Sequence, residues 1–265
     1  MKRVNAFSLD GQRALITGAT RGIGLAIATG LAEAGAAVVV SGRRQQSVEQ
    51  ALDQLRSQGY HADGIVLDVT DTPAIESAIA AAGVIDILIN NAGTEQICAS
   101  ENVTEQLWDT IVGTNLKGAF FCAQAVAKSM LAAGRGGSII NICSLTSQVG
   151  VAGAAAYGSS KSGLAGLTRA LSTEWAGQGI RVNGIGPGYF ETELTEVFYR
   201  DSQWRDTMQQ KIPLQRFGET EDLQGAAVFL SSAAARYITG QIGRASGRER
   251  VESSGVRVSL KQHIS

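Results

Sequence analysis

Tyr157 and Lys161 form the pair of residues in this sequence that is best suited to proton transfer. They lie four positions apart in a stretch with helical periodicity, so both side chains project from one face of the helix. A nearby ammonium stabilises a phenolate, and lowering a tyrosine pKa from about 10 toward 7 requires about 4 kcal/mol of differential stabilisation. Such a phenol serves as an acid or a base near neutral pH. A Tyr and Lys pair at this spacing is common, however, and by itself it is more typical of an exposed helix surface.

Ser144 and Asn115 complete a candidate catalytic set of four residues. Ser144 stands just beyond an apolar run at 138–142, where its hydroxyl can hydrogen-bond a substrate oxygen and orient it. The role of Asn115 depends on the resemblance described below.

A strand-to-helix junction at 17–24 reads T-G-A-T-R-G-I-G, with glycines at 18, 22 and 24. Glycine at such a turn lets the backbone approach a pyrophosphate, which the amides and dipole of the following helix stabilise. A tight turn that needs positive φ explains the glycines equally well. The spacing also differs from the G-x-G-x-x-G of many dinucleotide-binding folds.

Arg43 lies where a cofactor's adenosine ribose would be recognised, at the end of the second predicted strand. Enzymes that use NAD usually have an acidic residue there for the ribose 2'-hydroxyl, and this sequence has none. Arg43 is suited to hold a 2'-phosphate through charge-assisted hydrogen bonds, with Arg21 as a second cation. This favours NADP over NAD; the alternative is that Arg43 and Arg44 only solvate a loop.

The elements that position these residues are indicated by two periodicities. Short β-branched and aliphatic runs predict buried strands at 13–17, 37–41, 64–68, 85–90, 138–142 and 181–185. Apolar residues at intervals of three and four predict helices at 23–34, 45–58, 104–133 and 154–176. Alternating strands and helices require a parallel sheet covered on both faces. The expected fold class is therefore α/β, a doubly wound parallel sheet (Rossmann-like) in a single domain, with ligands beyond the carboxyl ends of the strands.

The composition limits the partners that the chain can have. Its 265 residues include 23 Lys and Arg against 24 Asp and Glu, so no general attraction to nucleic acid or an anionic membrane is expected. No apolar run approaches the roughly 18 residues of a membrane span, and residues 1–12 lack the apolar region of a signal peptide. A small-molecule substrate is the expected partner.

The cysteines and histidines argue against a metal site. The three cysteines form no C-x-x-C pair, and His61 and His263 lie far apart in the sequence. We therefore expect no metal, no disulfide framework and no Ser-His-Asp triad. A reducing compartment fits this cysteine content, and we expect a cytoplasmic location.

Several motifs together resemble the short-chain dehydrogenase/reductase family. The resemblance extends over residues 7–241, and the motifs occur in the family's order and spacing. They are T-G-A-T-R-G-I-G at 17–24, Asp68 with Val69, N-N-A-G at 90–93, Asn115 within T-N-L-K-G at 114–118, Ser144, Y-G-S-S-K at 157–161, and Pro187 with Gly188.

The resemblance implies that NADP(H) binds along the ends of the strands. The glycine loop would hold the pyrophosphate and ribose, Arg43 the 2'-phosphate, and Asp68 with Val69 the adenine edge. The implied cofactor-binding residues are Gly18, Thr20, Arg21, Gly22, Ile23, Gly24, Arg43, Asp68, Val69, Asn91, Ala92, Gly93, Tyr157, Lys161, Pro187, Gly188, Phe190 and Thr192.

The resemblance also implies a role for each member of the catalytic set. Tyr157 would be the proton donor for carbonyl reduction, and Lys161 would lower its pKa and hold the nicotinamide ribose. Ser144 would polarise the carbonyl, and Asn115 would support a water-linked proton relay to Lys161. The implied reaction is hydride transfer between the nicotinamide and a carbonyl carbon.

The substrate is indicated by three segments, which follow Asn91, follow Ser144, and run from Pro187 to about Arg216. They combine polar with aromatic residues, which favours a small, polar, sugar-acid-like carbonyl or secondary alcohol. The residues concerned are Glu95, Gln96, Gln148, Tyr189, Glu193, Tyr199 and Trp204.

Within the family the sequence resembles gluconate 5-dehydrogenases and 3-oxoacyl-carrier-protein reductases. A carrier-protein substrate is the first alternative, but it needs a basic docking patch, and the candidate cations are scattered along the sequence. A redox-silent NADPH-binding protein is an alternative of another class, and the complete catalytic set argues against it. The candidate cations are Lys117, Lys128, Arg135 and Arg169.

The carboxyl end departs from the family pattern. The resemblance implies a final apolar strand and an Asp-Gly-Gly near the end, supporting a homo-oligomer (dimer or tetramer), but neither is evident in the sequence. Residues 243–265 instead resemble a translated sequencing adapter. We therefore expect an NADP-binding domain at 1–242, followed at 243–265 by an atypical tail that is not native and leaves the sheet edge open.

Overall fold

Short β-branched and aliphatic runs form the strands, because such side chains fit a sheet that is buried on both faces. The computed structural model describes residues 5–191 and 202–247. In these ranges the strands are β1 (Arg13–Ile16), β2 (Ala37–Gly42), β3 (Ala62–Val66), β4 (Ile87–Asn90), β5 (Gly137–Ile142), β6 (Ile180–Pro187) and β7 (Ile242–Ala245). They form one parallel sheet in the order β3-β2-β1-β4-β5-β6-β7.

Helices connect most of the consecutive strands. Within the described residues they are α1 (Gly22–Glu33), α2 (Gln45–Ser57), α3 (Thr72–Ala81), α4 (Glu105–Val112), α5 (Ala119–Ala132), α6 (Ala155–Trp175), α7 (Ser202–Lys211) and α8 (Gln224–Ser231). None of them is both long and apolar enough to cross a membrane.

The side chains of β1 show how the sheet is covered on both faces. Ala14 and Ile16 belong to a buried cluster that includes residues of α1, α2 and α8. Leu15, which points the other way, belongs to a second buried cluster with residues of α3, α5 and α6. The doubly wound parallel sheet predicted from the sequence is therefore confirmed, with one core on each face.

One predicted helix, at 104–133, is wrong as a single element. It begins as α4 and ends as α5, but a π-helical segment at Gly113–Gly118 separates the two. The hydrophobic period alone does not reveal this segment, because only the hydrogen-bond pattern distinguishes a π turn from an α turn. The segment carries Asn115, which is 1% exposed.

The expectation that the sheet lacks a final strand is also wrong. Ile242–Ala245 forms β7, which pairs in parallel with β6 from Gly184 to Pro187. The strand forms although Gly243 and Arg244 are exposed, because backbone groups supply the pairing. It crosses the predicted boundary between 242 and 243. Most of the tail lies outside the described residues, so its non-native origin stays a prediction.

Candidate functional site

A cavity of about 420 Å³ lies at the carboxyl ends of the strands. Residues that follow β1, β2, β3, β4, β5 and β6 all contribute to its wall, as the doubly wound fold predicts. Of the predicted cofactor-binding residues, Thr192 lies outside the described part, and the remainder line the cavity. They are Gly18, Thr20, Arg21, Gly22, Ile23, Gly24, Arg43, Asp68, Val69, Asn91, Ala92, Gly93, Tyr157, Lys161, Pro187, Gly188 and Phe190.

The glycine loop is shaped both by its backbone and by close packing. Gly18 and Gly22 have φ of +62° and +54°, which L side chains rarely adopt. A Cβ at Gly18 would lie 2.9 Å from Cα of Ala92, and one at Gly24 would lie 2.6 Å from the carbonyl oxygen of Gly18. A Cβ at Gly22 would meet no atom within 4 Å, so that position faces open space in the cavity.

Asn91 fixes this loop against the end of β4. Its side-chain Nδ2 donates to the carbonyl oxygens of Thr17 and Gly18, at 3.0 and 2.9 Å. The hydroxyl of Thr17 in turn accepts hydrogen bonds from the amides of Asn91 and Ala92, both at 3.0 Å. The two strand ends at the centre of the sheet therefore hold one another in place.

These features fit a dinucleotide. The N-cap residue of α1, Arg21, supplies no side-chain hydrogen bond to the first turn, so the amides there are not capped by that side chain. The positive end of the helix dipole lies at the same place, where Gly22 leaves room for a phosphate group. Loop, helix and cavity together provide the cradle that a pyrophosphate requires.

Arg43 and Asp68 lie close enough to interact at the far end of the cavity. Arg43 is exposed at the end of β2 and lines the cavity, whereas Arg44 does not. Burial alone would raise the pKa of Asp68, but hydrogen bonds from Thr70 and the charge of Arg43 lower the pKa below its usual value. The geometry thus places a cation and a carboxylate where the resemblance implies the adenosine.

Lys161 is buried directly beneath the catalytic tyrosine position. Its Nζ lies 5.7 Å from the centre of the Tyr157 ring and donates a hydrogen bond of 2.7 Å to the carbonyl oxygen of Ile142. Burial lowers the pKa of Lys161 to about 8, although the nearby Cys143 and Glu95 act in the opposite direction. The ammonium is consequently close to its titration range near neutral pH.

The expected effect of Lys161 on Tyr157 is not observed. Burial raises the pKa of Tyr157, the charge of Glu95 raises it further, and a hydrogen bond with Ser144 only partly opposes them. The sequence argument considered the ammonium alone, but the phenol also loses water and faces a carboxylate. In this structure the phenol is therefore protonated over the whole neutral range.

Asn115 lies behind the cavity wall and holds it in place. Its Oδ1 accepts a hydrogen bond from the amide of Thr94 at 2.8 Å, and its Nδ2 donates to the carbonyl oxygen of Thr94 at 2.9 Å. Nδ2 also donates to the hydroxyl of Ser160, at 3.0 Å, and that hydroxyl donates to the carbonyl of Tyr157. The π segment thus connects the loop after β4 with the start of α6.

Ser147 is a positioning residue that the sequence reasoning missed. Its hydroxyl donates to the carbonyl oxygen of Lys161 at 2.9 Å and accepts a hydrogen bond from the amide of Ser144 at 3.3 Å. It therefore connects the end of β5 with α6, between two members of the catalytic set. Its position three residues after Ser144 is the only signal in the sequence, and it becomes meaningful once the intervening turn is known.

The segment after β6 is held by residues distant in sequence. The amide of Gly188 donates to the carbonyl oxygen of Ala245 in β7 at 2.8 Å. Phe190, which is 5% exposed, forms an isolated bridge with Gly218. The wall of the cavity at Pro187 and Gly188 therefore depends on the last described strand.

The predicted substrate residues fall into three groups. Glu95 lines the cavity, whereas Gln96 and Gln148 do not. Tyr189 and Trp204 form an aromatic contact with ring centres 5.9 Å apart, and Phe217 stacks on Trp204. Glu193 and Tyr199 lie outside the described residues.

Comparisons with known proteins agree with this geometry. A family model described as short chain dehydrogenase matches residues 12–203. The chain is 42% identical over 264 residues to gluconate 5-dehydrogenase of Gluconobacter oxydans, which covers 98% of this chain and 100% of that protein.

Solved structures give the same result. A putative short-chain alcohol dehydrogenase from Sinorhizobium meliloti superposes with a TM-score of 0.87 at 51% identity, over 92% of this chain and 98% of that one. A gluconate 5-dehydrogenase from Burkholderia cenocepacia, crystallised with NADP and tartrate, has a TM-score of 0.88 at 41% identity, over 91% of this chain and 96% of that one.

Proposed function

Because this chain belongs to the short-chain dehydrogenase family, we propose that it is an NADP(H)-dependent oxidoreductase of a small, polar, sugar-acid-like substrate. It interconverts a ketone and a secondary alcohol, with Tyr157 as the acid and base. The observation that carries the proposal is the cavity in which Ser144, Tyr157 and Lys161 meet the glycine loop. The oxidoreductase reading needs all of these groups in one place.

The proposed cofactor is NADP(H). Arg43 binds the 2'-phosphate, since it lies at the end of β2 and lines the cavity. The first turn of α1 and the glycine loop bind the pyrophosphate. The related Burkholderia cenocepacia enzyme, with the same fold, was crystallised with NADP.

In the reaction that we propose, each residue has a defined task. The bound nicotinamide supplies or accepts the hydride. Ser144 donates a hydrogen bond to the substrate carbonyl oxygen, and Tyr157 donates its phenolic proton to the same oxygen as charge develops there. Lys161, whose pKa lies at about 8, holds the ribose and restores the proton to Tyr157 through water near Asn115. Alcohol oxidation reverses these transfers.

The raised pKa of Tyr157 favours the reductive direction in the cofactor-free protein. A protonated phenol is ready to donate, whereas oxidation requires the phenolate. The positive charge of an oxidised nicotinamide near the ring would stabilise the phenolate and assist the reverse reaction.

The sugar-acid-like substrate is supported by the relatives and by the polar wall. The Gluconobacter oxydans relative is named a gluconate 5-dehydrogenase, and the Burkholderia cenocepacia enzyme was crystallised with tartrate, a hydroxylated dicarboxylate. In this chain Thr94, Glu95, Thr110 and Thr114 line the cavity beside the catalytic residues. These groups suit a substrate with several hydroxyls.

The two alternatives have less support. A carrier-protein substrate requires free basic residues, but Lys128 pairs with Glu76 at 3.3 Å and Arg135 pairs with Asp86 at 2.6 Å. A redox-silent NADPH-binding protein does not require Ser144, Tyr157 and Lys161 in one cavity.

Three measurements on the full chain test the proposal together. We expect tight NADPH binding by fluorescence, loss of nicotinamide absorbance on addition of 5-keto-D-gluconate, and little turnover of an acetoacetyl thioester. NADPH binding without turnover of either substrate would support the redox-silent alternative. Faster turnover of the thioester would support the carrier-protein alternative.

We also propose that the protein is a cytoplasmic homo-oligomer. The described cysteines Cys98, Cys122 and Cys143 are free thiols, as in a reducing compartment. Trp108 on α4 is 41% exposed, which is large for an apolar side chain on a helix surface. Light scattering on the purified chain measures the number of subunits.

A further inference from the structure

Glu95 is a carboxylate in the cavity wall that the proposed mechanism does not use. It is half-buried and lines the same cavity as Ser144, Tyr157 and Lys161. Within the described residues its carboxylate accepts no hydrogen bond and forms no ion pair. Leaving such a group partly desolvated is costly unless a ligand supplies donors.

The backbone on both sides of Glu95 is fixed. Asn115 holds Thr94, the preceding residue, by two hydrogen bonds of 2.8 and 2.9 Å. Three residues later, the amide of Cys98 donates to the carbonyl oxygen of Gly153 at 2.9 Å. The carboxylate is therefore carried by a short loop that is anchored to the π segment and to the start of α6.

The electrostatic surroundings of Glu95 give its charge a direct effect on the reacting centre. The cations among the described residues of the wall are Arg21, Arg43 and Lys161. Arg21 and Arg43 belong to the cofactor end, and Lys161 already donates to the carbonyl of Ile142. The charge of Glu95 acts on both Tyr157 and Lys161, so the carboxylate lies near the place of the substrate carbonyl.

We propose that Glu95 determines substrate specificity by accepting hydrogen bonds from hydroxyls on the carbons next to the reacting carbonyl and by repelling a carboxylate there. The preferred substrate is then a ketone with hydroxyl-bearing neighbours, whose carboxylate lies several carbons away. A carboxylate beside the reacting carbon would face Glu95 across a partly desolvated cavity, where like charges repel strongly. This inference rests on the proposed function and narrows its substrate class.

Two isomeric keto acids test the proposal directly. In 5-keto-D-gluconate both carbons next to the ketone carry hydroxyls, whereas in 2-keto-D-gluconate one neighbour is the carboxylate. Both have the same formula and charge, so they differ only in this respect. We would measure kcat/KM with NADPH, and the Kd of each acid for the enzyme with NADP, in the wild type, Glu95→Gln and Glu101→Gln. Glu101→Gln removes the same charge from an exposed position on the same segment, outside the cavity wall.

We expect the wild type to prefer the 5-keto isomer by about tenfold or more. Glu95→Gln should reduce that preference by about tenfold, mainly through better binding of the 2-keto isomer, and Glu101→Gln should leave it unchanged. Equal preference in the wild type and Glu95→Gln, or an equal change in both variants, would overturn the proposal. Melting temperatures of the three proteins establish that all are folded.

A second pair separates this inference from the proposed function. Dihydroxyacetone and hydroxypyruvate differ in the same way, hydroxyl-bearing carbon against carboxylate, and neither is a sugar acid. If the wild type reduces only this pair, the sugar-acid proposal fails, but a loss of preference for dihydroxyacetone in Glu95→Gln still supports the role of Glu95. If NADPH binds but none of the four compounds binds or reacts, both proposals are wrong.

Discussion

Lys161 combines near-complete burial with a charge that the reaction requires. It is 4% exposed, and burial lowers the pKa of its ammonium from 10.5 to about 8. A buried cation destabilises the folded state wherever the unfolded chain would keep the proton. The protein therefore sacrifices stability at this position to keep an ammonium beside Tyr157.

The first prediction concerns the pH dependence of stability at Lys161. Between pH 8 and 10.5 the unfolded chain binds more protons at this residue than the folded protein, so the free energy of unfolding rises with pH. Relative to Lys161→Met, the wild type should gain up to roughly 3 kcal/mol across that window. Thermal melts of both proteins at a series of pH values measure the difference, which cancels all other titrating groups. A difference that stays constant with pH would show that the ammonium is not desolvated.

The second prediction concerns the proton donor. Tyr157→Phe removes one hydroxyl and leaves the packing of the ring, so NADPH binding should be nearly unchanged. Turnover should fall by about 10²- to 10⁴-fold, since the developing alkoxide then lacks its acid. Steady-state kinetics and NADPH titration separate the two effects. A Phe variant with near wild-type kcat would exclude Tyr157 as the donor.

The third prediction concerns cofactor choice. Arg43→Asp should weaken NADPH binding by about 1.5 to 3 kcal/mol, through loss of a charge-assisted hydrogen bond to the 2'-phosphate. NADH binding should change far less. Arg44→Asp is the matched control, because Arg44 is an exposed neighbour outside the cavity wall. Equal losses for both cofactors would contradict the role of Arg43.

The short elements show which parts of the fold a sequence can predict. The six strands with β-branched and aliphatic runs were found because their side chains are buried on both faces. β7 was missed because its exposed Gly243 and Arg244 leave no apolar pattern. The π segment was missed because the apolar spacing continues through it.

The candidate site follows the same division. The glycine loop and the set of Ser144, Tyr157 and Lys161 were recognisable as motifs, and the structure brings them to one cavity. The raised pKa of Tyr157 was not predictable, because it depends on burial and on Glu95, whose loop is positioned by contacts distant in sequence.

The fourth prediction concerns the π segment. A Cβ at Gly118 would lie 2.6 Å from the carbonyl oxygen of Val69, at the adenine end of the cavity. Gly118→Ala should therefore destabilise the protein by about 1–3 kcal/mol and weaken NADPH binding. Gly113→Ala lies in the same segment and meets no atom within 4 Å, so it should be neutral or slightly stabilising. Equal melting temperatures for the two variants would refute the close contact.

The sheet of the whole molecule ends in a strand that is poorly suited to its place. β7 has four residues and partly or fully exposed side chains, although it covers the edge of β6. A longer apolar strand would bury more surface and protect the sheet edge better.

The fifth prediction concerns this end of the chain. Replacing residues 243–265 with an apolar strand followed by Asp-Gly-Gly should raise the melting temperature and give a more uniform oligomer. Differential scanning calorimetry and light scattering on both chains measure these effects. Equal melting temperatures, a regular oligomer from the chain as given and a protease-resistant tail would show that the tail is a genuine structural element.

The hydrogen bond from Gly188 to Ala245 has a consequence for local opening of the protein. A short edge strand detaches more readily than the centre of a sheet, and each detachment frees the Gly188 amide for exchange with solvent deuterium. Exchange at this amide should therefore follow fraying of β7, although 57 positions separate the two residues in the chain. A dinucleotide that holds the loop at Pro187 and Gly188 would slow the exchange, so ligand occupancy at one end of the sheet would be detectable as protection of its outermost strand.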